Sequence, residues 1–152
     1  MGDYRTVTVG TDGSASARKA VVRAAEVAAD SGARLMIICA YETRDASVDR
    51  SQAEAERALG DEAYKIIGAS PAEETLRAAR DEAMRTGIEK VDTVAVHGDP
   101  TDAIIAKSEL YRADLVVVGN KGLASFAGRL LGSVPQAVSR RSKADVLIVH
   151  TV

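Results

Sequence analysis

Short apolar runs alternate along this chain with longer segments whose apolar residues recur every three or four positions, a rhythm that reads as strand and helix in turn. Tyr4 to Gly10 alternates weakly through Val7 and Val9 and then meets Thr11-Asp12-Gly13-Ser14, a turn with a helix cap in it, as expected of a first, central strand. Ala17, Ala20, Val21, Ala24, Val27 and Ala28 share one face of the helix that follows, which stops at Ser31-Gly32. So many alanines on an inner face predict close packing against a sheet. After Arg34, the run Leu35 to Ala40 is continuously apolar, the mark of a parallel strand covered on both sides.

Tyr41 to Ala69 is too long for an ordinary connection. Gln52 to Leu59 fits an exposed helix that Asp61 to Ile67 extends past Gly60, and the segment reads as a solvated insertion in preference to a cover over the site. Ser70-Pro71-Ala72-Glu73 is a capping box with proline at the first helical position, and Ala72, Leu76, Ala79 and Ala83 form a stripe ending at Gly87. A third strand spans Val91 to His97. Asp99-Pro100 opens the next helix in the same way, and Ile104, Ile105 and Leu110 carry it to Tyr111. Leu115 to Val118 is strand four, Val134, Ala137 and Val138 have helical spacing, and Val146 to Val149 is strand five. This alternation predicts a doubly wound α/β sheet, which takes its ligand at the carboxyl ends of the strands where the winding reverses.

Composition narrows the partner. The 152 residues are a size suited to one domain, 1–152, and at 46% hydrophobic and 28% charged they suit a folded, water-soluble protein. A net charge of −2 with scattered Lys and Arg argues against nucleic acid, and one Phe with no Trp leaves few platforms for stacking bases. No apolar run approaches the roughly 18 residues needed to span a bilayer. Met1 to Arg5 does not resemble a signal peptide. A cytoplasmic protein with a small-molecule or protein partner is expected, without membrane contact.

The most informative stretch joins strand four to the last helix: glycines at 119, 122, 128 and 132 lead to Ser133 at the start of the apolar-striped segment. Buried strand, glycine loop and helix start together make an anion site, because glycines let the backbone approach a phosphate and the helix start supplies free N–H groups. A P-loop would need lysine after the last glycine, whereas Lys121 precedes the second; Gly10-Thr11-Asp12-Gly13 is not a dinucleotide fingerprint either. What fits is Gly119-x2-Gly122-x9-Gly132-Ser133. This spacing resembles that of nucleotide-binding members of the universal stress protein family, and the likeness extends through Val9-Gly10-Thr11-Asp12-Gly13-Ser14, Gly98-Asp99-Pro100 and the closing Val146-Leu147-Ile148-Val149. Gly128-Arg129-Leu130-Leu131-Gly132-Ser133-Val134-Pro135 resembles an actinobacterial branch whose members bind cyclic AMP.

The resemblance implies a five-stranded parallel sheet in the order 3-2-1-4-5 with helices on both faces, the Rossmann-like fold of adenine nucleotide alpha hydrolases. It further implies an adenine nucleotide at Gly10, Thr11, Asp12, Ala40, Val118, Gly119, Lys121, Gly122, Arg129, Gly132, Ser133 and Val134, held by a stress-response protein that serves as sensor, buffer or regulator. Cyclic AMP is placed ahead of ATP because Gly119-Asn120-Lys121-Gly122-Leu123 and Gly128 to Pro135 resemble the cyclic-AMP-binding branch, with its single charge, which asks for only a few amides and a hydroxyl, as a lesser reason; magnesium is expected only with ATP. Valine at Gly122 or Gly132 is expected to abolish binding, by blocking the approach to phosphate or demanding a forbidden φ. Strand five would leave an uncovered apolar edge in a monomer, and the resemblance implies a homodimer through residues 145–150.

Plainer readings stand beside these. Asp12 takes a ribose hydroxyl or magnesium, or merely shapes an Asx turn. Lys121 and Arg129 neutralise phosphate or are solvated. Arg140, Arg141 and Lys143 suit a helix C-terminus, and Cys39 reads as a buried strand residue. His97 and His150 lack ligand partners at metal spacing, so no metal is expected. No catalytic residues are evident, because nothing resembles a nucleophile elbow and Cys39 has no flanking base. Slow ATP hydrolysis is the enzymatic alternative, and an interaction protein with an empty pocket a third.

Overall fold

The computed structural model describes residues 4–42, 61–121 and 132–151, with the side chains of 61–70 excepted. Strands β1 (Thr6–Gly10), β2 (Arg34–Tyr41), β3 (Val91–His97), β4 (Leu115–Gly119) and β5 (Asp145–Val149) form one sheet in the order β3-β2-β1-β4-β5. Every pairing is parallel. Helices α1 (Ala15–Ser31), α2 (Asp61–Met84), α3 (Pro100–Leu110) and α4 (Ser133–Arg141) supply the crossovers. The expected architecture and strand order are present.

Because side chains alternate across a strand, the apolar runs of β2 and β4 feed two separate cores. On one face Val7, Val9, Leu35, Ile37, Leu115 and Val117 pack under α1 and α2, whose contribution is mostly alanine: Ala20, Ala24, Ala25, Ala28, Ala72, Ala79 and Ala83. On the other face Met36, Ile38, Val116 and Val118 pack under Ile104 and Ile105 of α3 and Val138 of α4. β1 lies between the faces and is buried on both. Thr8 is fully buried, and the hydroxyls of Thr8 and Ser108 are hydrogen-bonded at 2.7 Å, so the polar position costs no unsatisfied group.

α1 keeps the boundaries that its sequence signals give. Ser14 is its N-cap, accepting from the Ala17 N–H at 3.1 Å, and Gly32 ends it in the left-handed conformation at φ 67°, which glycine adopts without steric cost.

Two readings of the pattern are corrected. The helix expected to begin at Ser70-Pro71 instead runs from Asp61 through Met84 with Pro71 inside it. An interior proline removes one backbone hydrogen bond and crowds the turn before it, a cost of about 3 kcal/mol. Burial of Ala72, Leu76, Ala79 and Ala83 against the sheet opposes that cost, so a local start signal did not set the boundary. The expected helix at Gln52 to Leu59 lies outside the described residues. The second correction is Leu110, which is 65% exposed. It stands six residues from Ile104, about 240° around the helix, whereas Ser108 at four residues faces the sheet and takes the buried place.

These placements predict an asymmetry in stability. Ile37→Ala empties a fully buried site and should lower unfolding free energy by about 2–5 kcal/mol in urea titration. Leu110→Ala should change it by less than about 0.5 kcal/mol; a larger loss would mean that Leu110 is packed.

Candidate functional site

The carboxyl ends of β1 and β4 lie side by side, and the chain leaves them toward opposite faces of the sheet, β1 into α1 and β4 toward α4. A crevice opens at this reversal. Gly10, Thr11 and Asp12 form one wall, and Val118, Gly119 and Lys121 form the other. Ile38 and Ala40 of β2 line the floor, with Pro100 and Ile104 of α3 and Val134 and Pro135 of α4 closing the far side. The space is about 590 Å³ including its open mouth.

Ile104 shapes the crevice by a close approach. A Cβ built on Gly10 would sit 2.5 Å from Ile104 Cδ1, so glycine is what admits this isoleucine against β1. Gly119 is less constrained, since its Cβ would meet nothing nearer than Ser16 Oγ and Thr151 Cγ2 at 3.5 Å.

Three helices start around the crevice, and they are finished differently. α1 is capped by Ser14, and α3 by Asp99, which accepts from the Asp102 N–H at 3.0 Å. α4 has Gly132 as N-cap and no side-chain cap. Its Gly132 N–H is donated to the Asn120 carbonyl at 2.9 Å, and Pro135 has no N–H. Among the described residues, the first-turn donors of α4 that remain are Ser133 and Val134, which helix geometry leaves without an intrahelical acceptor. Here the helix dipole and open N–H groups favour an anion.

Asp12 is exposed at the mouth, and its Oδ1 accepts from the Ser14 N–H at 2.9 Å. It therefore shapes an Asx turn and lines the crevice at once, and among the described residues its second carboxylate oxygen accepts no hydrogen bond. Thr11 is held from both ends: its N–H donates to the Ile38 carbonyl at 2.9 Å, and its Oγ1 accepts from Gly13 N–H at 3.1 Å.

Of the residues expected at the site, Gly10, Thr11, Asp12, Ala40, Val118, Gly119, Lys121 and Val134 are brought together. Gly132 and Ser133 begin α4 beside the crevice without lining it. Gly132 has φ −63° and ψ 168°, a conformation open to any residue, so the expected conformational need for glycine does not apply there. Gly122 and Arg129 lie outside the described residues. Sequence reasoning missed Ser14, Ala17, Ile38, Pro100, Ile104 and Pro135. The two-residue period from Ala40 pointed to Ile38; Ile104 read only as core, since nothing local marks a core residue that also walls a cavity.

Other candidates have structural partners. Burial, with a smaller contribution from the Asp12 charge, raises the Cys39 thiol above its ordinary pKa. At 4% exposure it is a poor nucleophile. His97 meets Tyr41 edge to face, with ring centroids 5.5 Å apart. Arg141 Nη1 reaches Asp102 Oδ1 at 2.8 Å, joining α4 to α3, and Lys143 pairs with Glu109 at 3.8 Å. Among the described residues no helix is long and apolar enough to cross a membrane.

A parallel sheet with helices on both faces and a crevice at its β1/β4 reversal is the doubly wound α/β architecture, in which ligands bind at the carboxyl ends of the strands. The sequence pattern of the Universal stress protein family matches residues 3–150, and the chain belongs to that family. It is 47% identical over 151 residues to Universal stress protein Rv1636 of Mycobacterium tuberculosis, covering 99% of each chain. A crystal structure described as a universal stress protein in complex with cAMP is similar at 43% identity and TM-score 0.74, covering 98% of both chains. UspA of Lactobacillus plantarum shares the fold at TM-score 0.77 and 20% identity, covering 98% of this chain and 99% of that one.

The contact between Gly10 and Ile104 gives a test of the crevice. Gly10→Ala should destabilise by about 1–3 kcal/mol through overpacking. Adding Ile104→Val, which removes Cδ1, should recover most of the loss. Urea titration of the single and double variants measures this, and a double variant no more stable than Gly10→Ala would mean that the two residues are not in contact.

Proposed function

We propose that this universal stress protein binds an adenine nucleotide in the crevice, cyclic AMP in preference to ATP, and acts as a sensor, buffer or regulator. The observation that carries the reading is the uncapped start of α4, opening beside an apolar slot at the strand reversal. In this reading the base lies against Ile38, Ala40, Ile104 and Val118, and the free oxygen of Asp12 accepts a ribose hydroxyl. The phosphate takes the Ser133 and Val134 N–H groups, with Lys121 above it and Gly122 and Arg129 completing the loop. The similarity to the protein crystallised with cAMP supports the same choice.

Charge separates the two nucleotides. Among the described residues the crevice is lined by one cation, Lys121, and one acid, Asp12. That suits the single charge of a cyclic phosphate. A polyphosphate needs more positive charge or a magnesium ion, for which Asp12 with the phosphate oxygens would be the ligand set. Calorimetric titration with both nucleotides, with and without magnesium, decides: cyclic AMP should bind at least about tenfold more tightly. ATP binding the tighter, and strengthened by magnesium, would reverse the assignment. Asp12→Ala should weaken either nucleotide about ten- to a hundredfold, the loss of one hydrogen bond to a charged group.

We further propose a homodimer through β5. The two sheet edges differ in chemistry. β3 exposes Asp92 and Thr93, with Asp92 paired to Arg34 at 3.5 Å, whereas β5 carries Val146, Leu147, Ile148 and Val149 without a charge after Asp145. Charge blunts the first edge and leaves the second open to strand pairing. Sedimentation should give twice the mass of the chain at micromolar concentration, and Leu147→Lys should halve it while far-UV circular dichroism is retained. A wild-type monomer would exclude the interface.

A further inference from the structure

Asn120 lies between two residues that line the crevice, yet is itself only 4% exposed and turned away from it. Its hydrogen bonds join three separate elements. The backbone N–H donates to the Val149 carbonyl at the end of β5, at 2.8 Å, and the backbone carbonyl accepts the Gly132 N–H at the start of α4, at 2.9 Å. The side-chain Oδ1 accepts both the Thr151 N–H and the Thr151 hydroxyl, each at 2.9 Å. Thr151 is buried as well, and it is held to α1 through Ser16 Oγ and through Lys19 Nζ, which donates to its carbonyl at 3.1 Å. A buried amide oxygen taking two donors from one residue fixes both partners, because breaking either bond strands a polar group away from water.

We propose that Asn120 is a positioning residue for the site, one that sets the start of α4 against the segment following β5 and so couples nucleotide affinity to the placement of that sheet edge. This rests on the nucleotide reading given above. Asn120 needs no contact with ligand. It acts through Gly132: with its carbonyl held in place, the Ser133 and Val134 donors face a fixed point, and when Thr151 lets go of Oδ1 that point blurs. The base-binding wall of Ile38, Ala40 and Ile104 belongs to other elements and should be indifferent.

The test is a double-mutant cycle on the full chain with Asn120→Ala and Thr151→Val, titrated with cyclic AMP and with adenosine, which lacks the phosphate. Each single variant should weaken cyclic AMP about five- to tenfold and adenosine less than twofold. The double variant should be no worse than Asn120→Ala, and Thr151→Ser should bind like the wild type. Equal losses for both ligands, or additive effects in the double variant, would overturn the proposal. Amide hydrogen exchange supplies an arm that does not depend on ligand: both variants should speed exchange at Gly132 and Gln136 and leave β1 and β2 unchanged. If the wild type binds neither probe, the nucleotide reading fails and exchange alone decides. Unchanged exchange at Gly132 in the conservative Thr151→Val variant rejects the link.

Discussion

The structure depends on the reversal of winding between β1 and β4. These strands are neighbours at the centre of the sheet, and both must be buried on two faces. Their connections leave in opposite directions, α1 over one face and α4 over the other, so no crossover covers the gap between their carboxyl ends. The crevice is thus a by-product of chain topology. What this sequence adds is its lining: Gly10 lets Ile104 close one end, and small or β-branched residues at 40, 118 and 134 keep the slot apolar and open.

Polar satisfaction distinguishes the three helix starts around the crevice. A side-chain cap at a helix start closes one of its first-turn donors. Ser14 and Asp99 close α1 and α3 in this way. Gly132 cannot, and its own N–H is spent on Asn120, so among the described residues no side chain closes the Ser133 and Val134 donors. An anion placed there meets fixed dipoles without a large cluster of basic side chains, in keeping with a chain whose net charge is only −2. The same economy shows beneath the sheet, where Asp114 accepts the N–H groups of Arg5 and Thr6 at 2.8 and 3.0 Å and ties the start of β1 to the start of β4.

Most of the fold was legible because local signals and tertiary burial agreed. Ser14 and Gly32 bracket α1, Asp99-Pro100 starts α3, and the apolar runs of β2 and β4 mark strands covered twice. Strand order was not readable from periodicity and came from the family resemblance. The sequence misled where agreement failed: Pro71 lies within a helix whose apolar stripe is buried, and Leu110 lost its expected place to Ser108, whose hydroxyl is satisfied only because Thr8 faces it across a hundred residues of chain. At the crevice, the ends of β1 and β4 that the sequence singled out lie together, while most of the glycine loop lies outside the described residues. Asn120 was passed over because the partner of its side chain, Thr151, is distant in sequence and near only in the folded state.

An amide chemical-shift titration of the isotopically labelled protein with cyclic AMP would locate the ligand residue by residue. The account predicts saturable shifts concentrated at Gly10 to Asp12, Ile38 to Ala40, Gly119 to Lys121 and Ser133 to Val134, with α2 and the starts of the strands silent. Shifts centred on α2 or at the opposite end of the sheet, or none at millimolar ligand, would place the nucleotide elsewhere or nowhere and remove the basis of the account.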